Sequence, residues 1–145
     1  MAIKLSRGFT LLELLVVIAI IALGTAGVSL AMRDSGQTSL EREALRLSAL
    51  LDAARSQSRA SGVVVTWTVA QDSQNQPVMR WSGLRSKEPL PTTWLDAQTQ
   101  VQMNQPLVLG PDPVIAPQRV RLTHGQESRD VVTDGVGAFA VEKAR

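Results

Sequence analysis

The chain has 145 residues, with 15 Lys or Arg against 13 Asp or Glu, and no cysteine. This length suffices for one compact domain with an appended segment. The missing cysteine excludes disulfide bonds, thiolate metal sites and a cysteine nucleophile. The formal charge of +2 belongs to the N-terminus, because Lys4 and Arg7 account for it and residues 9–145 balance to zero. That balance argues against a nucleic-acid partner.

An apolar run extends from Phe9 to Met32 and carries Glu13 as its single charged residue. A helix of this length spans about 36 Å and exceeds the roughly 30 Å hydrocarbon core of a bilayer. The run therefore predicts a membrane-spanning helix. Lys4 and Arg7 precede it and predict a cytoplasmic N-terminus, with the rest of the chain in the periplasm. A charge deep in such a helix costs roughly 2.5–3.5 kcal/mol, so Glu13 calls for a functional explanation.

Two general interpretations of the N-terminus are open. A secretory signal peptide has the same order of a basic region, an apolar region and small residues, here within 22–27. Glu13 argues against it, because a charge weakens the apolar region. A permanent signal anchor with a periplasmic domain tolerates Glu13 near the membrane edge but gives it no role.

A third interpretation comes from the motif itself. A short basic leader ends at Gly8, the aromatic Phe9 follows, and Glu13 is the fifth residue after the glycine. This pattern resembles the class III signal of type IV pilins and type II secretion pseudopilins. The resemblance implies that a prepilin peptidase cleaves between Gly8 and Phe9 and methylates the new amine of Phe9. The helix then stays in the inner membrane as a structural element and has no catalytic residues.

The resemblance also gives Glu13 a task. In this family the glutamate is thought to pair with the N-terminal amine of a neighbouring subunit, here that of Phe9. A buried charge is costly when it is unpaired, so such pairing would fix the register of assembly. Pairing of Glu13 with the amine of its own Phe9 is the alternative that the sequence leaves open.

A second helix is expected over 38–60. Residues 33–36 suggest a kink or a short break, and Thr38 with Glu41 fits a capping box that would start a separate helix. Apolar or small residues recur at helical spacing and predict one buried face: Leu40, Ala44, Leu47, Leu51, Ala54 and Ser58. The opposite face is expected to be solvated, with the charged residues Glu41, Arg42, Arg46, Asp52, Arg55 and Arg59.

Strand-like alternation begins after Gly62. Residues 63–70 and 77–83 predict a hairpin around a polar turn, and 84–100 predicts an irregular loop. Strands are also expected at 101–109 and 119–123. A turn is expected at Gly125-Gln126, and a last hairpin of 128–133 with 136–142 is expected around Asp134-Gly135, a favourable two-residue turn. The predicted fold is α+β, with a long N-terminal helix on a small antiparallel β-sandwich or curled sheet of about six strands. Its parts are a cleaved leader (1–8), a transmembrane helix (9–32), an amphipathic helix (33–61) and a periplasmic β-rich domain (62–145).

Three segments are most similar to the H-type minor pseudopilins of the type II secretion system: the helix pattern over 47–60, the strand at 63–67 and the ending at 134–141. That resemblance implies a tip-proximal subunit of a periplasmic pseudopilus. Its implied partners are other major and minor pseudopilins, the prepilin peptidase, the inner-membrane secretion platform and the lipid bilayer. No cofactor is implied. A minor type IV pilin in twitching, adhesion or DNA uptake is the nearest alternative.

Little in the sequence indicates an enzyme. His124 is the single histidine, and none of the common hydrolase or phosphate-loop motifs occurs. No metal site is expected. Arg119 and Arg121 share a strand face but lack the interleaved aromatics of a nucleic-acid surface, so a solvated strand is the simpler interpretation. Trp94 lies in the predicted loop and is the best candidate for an exposed subunit contact.

Overall fold

The computed structural model describes residues 11–85 and 89–144, and for 24–35 it describes the helical backbone without the side chains. One helix, α1 (Leu11–Ser61), comes first in the described chain. Seven strands follow it there: β1 (Thr66–Gln71), β2 (Pro77–Ser82), β3 (Gln100–Gln102), β4 (Leu107–Val108), β5 (Gln118–His124), β6 (Glu127–Thr133) and β7 (Ala140–Lys143). The α+β prediction is confirmed. The chain divides into two compact units, with the boundary between Ser35 and Gly36.

Helix α1 is continuous through 33–36, so the expected break there and the expected separate start at Thr38 are wrong. A glycine inside a helix costs only about 1 kcal/mol relative to alanine, which a long helix can absorb. Gly36 is also favoured by packing, because a Cβ at this position would come within 3.1 Å of Nδ1 of His124.

Within the described residues, no helix is both long enough and apolar enough to span a lipid bilayer.

The predicted buried face of the second half of α1 is confirmed. None of its six residues is more than 1% exposed: Leu40, Ala44, Leu47, Leu51, Ala54 and Ser58. They recur every three or four residues and therefore form one stripe along the helix. This stripe contributes to a single hydrophobic core with residues from both sheets, including Trp67, Met79, Val120, Leu122 and Val131.

The first sheet has the strand order β2-β1-β4. The predicted hairpin is confirmed, since β1 and β2 pair antiparallel from Thr66–Ser82 to Gln71–Pro77. The expected alternation is also present: Val65, directly before β1, and Trp67 are buried, and so is Met79 on β2, whose cross-strand partner is Val69. The strand begins at Thr66, three residues later than the apolar pattern suggests.

The second sheet has the order β3-β5-β6-β7 and is antiparallel throughout. Strands β5 and β6 form a tight hairpin through Gly125 and Gln126, where a turn is expected. Strands β6 and β7 also pair antiparallel, which confirms the pairing of the predicted last hairpin. Residues 134–139 form a longer connection between β6 and β7, so the two-residue turn at Asp134-Gly135 is wrong. Asp134 instead accepts hydrogen bonds from the N–H groups of Val136 (2.9 Å) and Gly137 (2.8 Å).

The predicted single strand at 101–109 is also wrong. The chain forms β3 in the second sheet, leaves it at Gln102, and forms the short β4 in the first sheet. Pro106 lies in the connection and has no N–H for a sheet, which favours an interruption there. The irregular segment predicted over 84–100 is confirmed for its described residues, up to the start of β3 at Gln100.

Candidate functional site

The described N-terminal part of α1, from Leu11 to Leu23, presents apolar side chains without cover. Ten large hydrophobic residues in this segment are between 43% (Val17) and 80% (Leu11) exposed. Their distribution is continuous around the helix, since every residue in 11–23 is exposed. An exposed apolar surface of this extent marks contact with lipid or with another protein.

Glu13 lies in the first turn of α1 as it is described. Gly8 and Phe9, the predicted cleavage and methylation residues, lie outside the described residues. Their roles, and the pairing of Glu13 with a Phe9 amine, therefore stay predictions.

Trp94, the predicted exposed contact, is partly buried and packs against the hydrophobic core. Its indole Nε1 is shielded from solvent and has no hydrogen-bond partner. The exposed position expected for this side chain is therefore not observed, and its role as a subunit contact stays a prediction. The neighbouring Leu95 is exposed, at 62%.

Glu43 anchors that loop to the helix. Its carboxylate is fully buried and accepts hydrogen bonds from the N–H groups of Leu95 (2.6 Å) and Asp96 (3.3 Å). Arg46 donates to the same carboxylate at 3.1 Å and to the carbonyl of Thr93 at 3.0 Å. A buried charge is tolerated when it is paired and hydrogen-bonded, as this one is.

Arg55 plays the corresponding role at the other end of the buried stripe. Its side chain is 2% exposed and donates to the carbonyls of Gly135 (2.6 Å), Gly137 (2.6 Å) and Pro113 (3.0 Å). Two separate connections, at 113 and at 134–139, therefore meet on one guanidinium. Gly135 has a φ of 91°, and a Cβ there would clash with the carbonyl oxygen of Ile115.

The expected solvated face of the second helical half is therefore corrected. Arg55 is buried, Arg46 and Asp52 are partly buried, and Oδ1 of Asp52 accepts a hydrogen bond from the N–H of Phe139 at 3.2 Å. Glu41, also partly buried, pairs at 2.6 Å with Nε of Arg129, whose side chain is 8% exposed. Only Arg42 and Arg59 of the six predicted charges are exposed.

Sequence reasoning missed Glu43 and Arg55, although the signal was present. At 100° per residue, Arg55 lies about 20° from Ala44 on the helical wheel, and Glu43 lies about 20° from Ala54. Both therefore belong to the buried stripe by position. The charge of Arg55 suggested solvent, because buried guanidinium groups are rare unless paired, and no prediction covered Glu43.

The other polar candidates form structural contacts. Asp130 is 1% exposed, and its carboxylate accepts hydrogen bonds from Arg119 (2.7 Å) and Arg121 (2.8 and 2.9 Å). The bond from Arg121 is the main cause that holds the pKa of Asp130 below its ordinary value of 3.8, and that from Arg119 adds to it. Nε2 of His124 lies 3.1 Å from Gln98 and 3.5 Å from Asp96. Within 11–85 and 89–144, no three His, Asp or Glu residues are placed to hold a metal ion.

The comparisons with known proteins bear on the N-terminus. No curated protein and no solved structure matches the chain. Residues 3–29 match the family model of the prokaryotic N-terminal methylation motif. This motif indicates processing by a prepilin peptidase and is typical of the type IV pilin and pseudopilin class, whose members are membrane-anchored structural subunits.

Proposed function

We propose that the protein is a structural subunit of a pilin-like filament, processed between Gly8 and Phe9 and held in the inner membrane by residues 9–32. The observation that carries the proposal is the methylation motif over 3–29, which includes a helical segment, 11–23, whose apolar side chains are exposed. The motif accounts for recognition by the processing peptidase. The exposed helix provides a surface that contacts lipid before assembly and neighbouring helices after assembly.

Within that proposal, Glu13 sets the register between subunits. Cleavage after Gly8 would leave the cationic amine of Phe9 four residues, or about 6 Å along the helix axis, from Glu13. At low dielectric two such charges are costly apart and stable together. An amine of one subunit against Glu13 of the next would therefore favour one axial offset over others.

The processing step is tested by intact-protein mass measurement on the membrane-bound protein from the native host. We expect a chain that begins at Phe9 and carries one additional methyl group. A chain that begins near residue 25 or 28 would identify a secretory signal peptide. An unprocessed chain would identify a signal anchor, and either result overturns the proposal.

The role of Glu13 is tested by Glu13→Val, with Thr25→Val as the matched polar-to-apolar control in the same segment. We expect both variants to insert in the membrane and to be cleaved and methylated. Glu13→Val should be recovered poorly in sheared filament fractions, whereas Thr25→Val should be recovered as the native protein is. Normal incorporation of Glu13→Val would refute the register role while leaving the subunit assignment intact.

For the branch of the class, we propose a minor, tip-proximal pseudopilin of the type II secretion system, which supports export of folded proteins across the outer membrane. The supporting features are the segments at 47–60, 63–67 and 134–141, together with a cysteine-free β-rich domain. Deletion of the gene should abolish release of secreted enzymes and leave twitching unchanged. Loss of twitching or DNA uptake with normal enzyme release would instead assign a minor type IV pilin.

A further inference from the structure

The β-rich domain (62–145) also has a surface with features of a binding site. A cleft of about 1170 Å³ opens between the end of β1, the turn that follows it, residues 97–104 and Gly125. Its volume exceeds the roughly 300–1,000 Å³ of small-molecule pockets. The cleft lies wholly within the unit that begins at Gly36.

One wall of the cleft is an open strand edge. On the side of β1 away from β2, the described residues pair with it only through β4, which covers Thr66 and Trp67. The rest of β1 continues past the end of β4 and lines the cleft with Val69, Ala70 and Gln71. Among the described residues, no strand therefore pairs with this side of β1 beyond Trp67, and Met103 and Asn104, shortly before β4, lie across the cleft from it.

The direction of the backbone groups follows from the register. The N–H of Leu109 donates to the carbonyl of Val65 at 2.9 Å, which makes these two residues a hydrogen-bonded pair of the β1–β4 ladder. Hydrogen-bonded positions alternate along an antiparallel strand, so Trp67, Val69 and Gln71 direct their N–H and C=O groups to that side. The groups of Val69 and Gln71 lie beyond β4 and therefore face the cleft.

The edge of β2 shows how such positions are protected elsewhere in this domain. The N–H of Met79 donates to the carbonyl of Thr92 at 2.7 Å, and the indole of Trp81 donates to Pro91 at 3.0 Å. The loop thus covers that edge. Native proteins cover or charge their open edges because an unprotected edge pairs with other chains.

The chemistry of the cleft identifies the kind of ligand. Seven of its fifteen lining residues are Asn or Gln, among them Gln71, Gln100 and Gln102, and none is charged or aromatic. Carboxamides both donate and accept hydrogen bonds, as a peptide backbone requires. The lack of charge favours an uncharged ligand, and the lack of an aromatic platform disfavours a carbohydrate.

We propose that this cleft binds an extended, uncharged segment of a partner protein as an additional strand on the open edge of β1. Main-chain hydrogen bonds to Val69 and Gln71 supply the affinity, and the carboxamides of residues 98–104 contact the side chains and the outer edge of the segment. The added strand continues the line of β4. This site is separate from the N-terminal helix and from the role proposed for Glu13.

The test uses the full chain, isotopically labelled, in detergent micelles. The probes are eight hexapeptides, acetylated and amidated, in which Val or Ile alternates with Thr, Gln or Asn. We expect at least one to bind with a Kd of about 0.1–1 mM. Binding should shift the amide resonances of Val69 and Gln71 and slow their hydrogen exchange. The same peptide with alternate backbone nitrogens methylated should not bind.

Two variants and one control separate the cleft from other surfaces. Val69→Pro removes an edge N–H, and Gln102→Lys introduces charge without altering the β1 backbone. Each should weaken binding at least about tenfold, whereas Gln37→Lys, an exposed change on α1, should not. If Val69→Pro fails to fold, Gln102→Lys decides. No binding by any peptide, equal binding by Gln102→Lys, or binding of maltohexaose in place of peptides would each overturn the proposal.

Discussion

Helix α1 contains two apolar regions with opposite surroundings. From Leu11 to Leu23, large hydrophobic side chains are between 43% and 80% exposed. On the stripe from Leu40 to Ala54, no residue is more than 1% exposed. The residue types overlap, since leucine and alanine occur in both. The two regions differ in whether other parts of the described chain pack against them.

For the second region, the partner is the chain's own pair of sheets. Burial of a leucine side chain contributes roughly 1.5–3 kcal/mol, and Glu43 and Arg55 add hydrogen bonds to backbone groups of three connecting segments. For the first region, the described residues supply no such cover, and under the proposed function its partners are lipid and other subunits. One part of the helix therefore stabilises the domain, and under the proposed function the other serves association.

The strongest test of this division is Arg55→Ala. The change removes the donor for three carbonyls, those of Gly135, Gly137 and Pro113, and leaves a cavity where a 2% exposed side chain was. We expect the free energy of unfolding to fall by about 3–5 kcal/mol. Chemical denaturation in detergent, followed by tryptophan fluorescence, measures it.

Arg59→Ala is the matched control, because Arg59 is an exposed arginine one helical turn further along. It should change the free energy of unfolding by less than about 0.5 kcal/mol. Equal effects of the two variants would mean that Arg55 acts through helix charge and not through the two connections it binds.

A leucine-to-alanine pair compares the two regions directly. Leu47 is fully buried and Leu15 is 62% exposed. Leu47→Ala should lower the free energy of unfolding by about 2–5 kcal/mol, because it leaves a cavity in the core. Leu15→Ala should change it by less than about 0.5 kcal/mol.

The same two variants should reverse their order in an association assay. Leu15→Ala should reduce recovery in filament or membrane fractions relative to the native protein, since it removes exposed apolar surface. If Leu15→Ala lowers the stability of the domain as much as Leu47→Ala does, the division of α1 into a stabilising and an associating region is incorrect.

The sequence was most informative where periodicity alone decides structure. All six residues of the predicted stripe are buried, and the β1–β2 hairpin pairs as the alternation of apolar residues predicts. Residue type was a poorer guide than position for Arg55 and Glu43. Burial of these charges depends on carbonyl and N–H groups more than fifty residues away. No local sequence pattern indicates such distant hydrogen-bond partners.

Turns that serve a distant residue were also missed. Asp134-Gly135 has the composition of a tight hairpin, but residues 134–139 instead turn two carbonyls towards Arg55. Likewise, the strand expected at 101–109 divides between two sheets, a choice made by tertiary pairing. The candidate site shows the reverse case, because Gly8, Phe9 and Glu13 are recognisable from motif and spacing without any tertiary contact.

The smallest expected effect on the free energy of unfolding comes from Asp130, whose charge also makes stability depend on pH. Asp130 is buried under Arg121 and Arg119, and both belong to the domain and not to the exposed part of α1. Asp130→Asn should lower the free energy of unfolding by about 1–2 kcal/mol at pH 7. The value lies at the low end for charged hydrogen bonds, because solvent and salt reach the two arginines. Denaturation at low and high salt measures it.

The pH dependence follows from the sign of the shift. The pKa of Asp130 is lowered from 3.8 on folding, so the folded state binds its proton less readily than the unfolded state does. The stabilisation is therefore complete above about pH 5 and is lost as the pH falls through about 4 towards the folded-state pKa. Asp130→Asn should then lose less stability between pH 7 and pH 3 than the native protein does.

Glu142→Gln is the control, because Glu142 is the cross-strand neighbour of Asp130 and its removal relieves like-charge repulsion. An acid profile altered by Glu142→Gln but not by Asp130→Asn would assign the acid sensitivity to the sheet edge and not to the arginine pair.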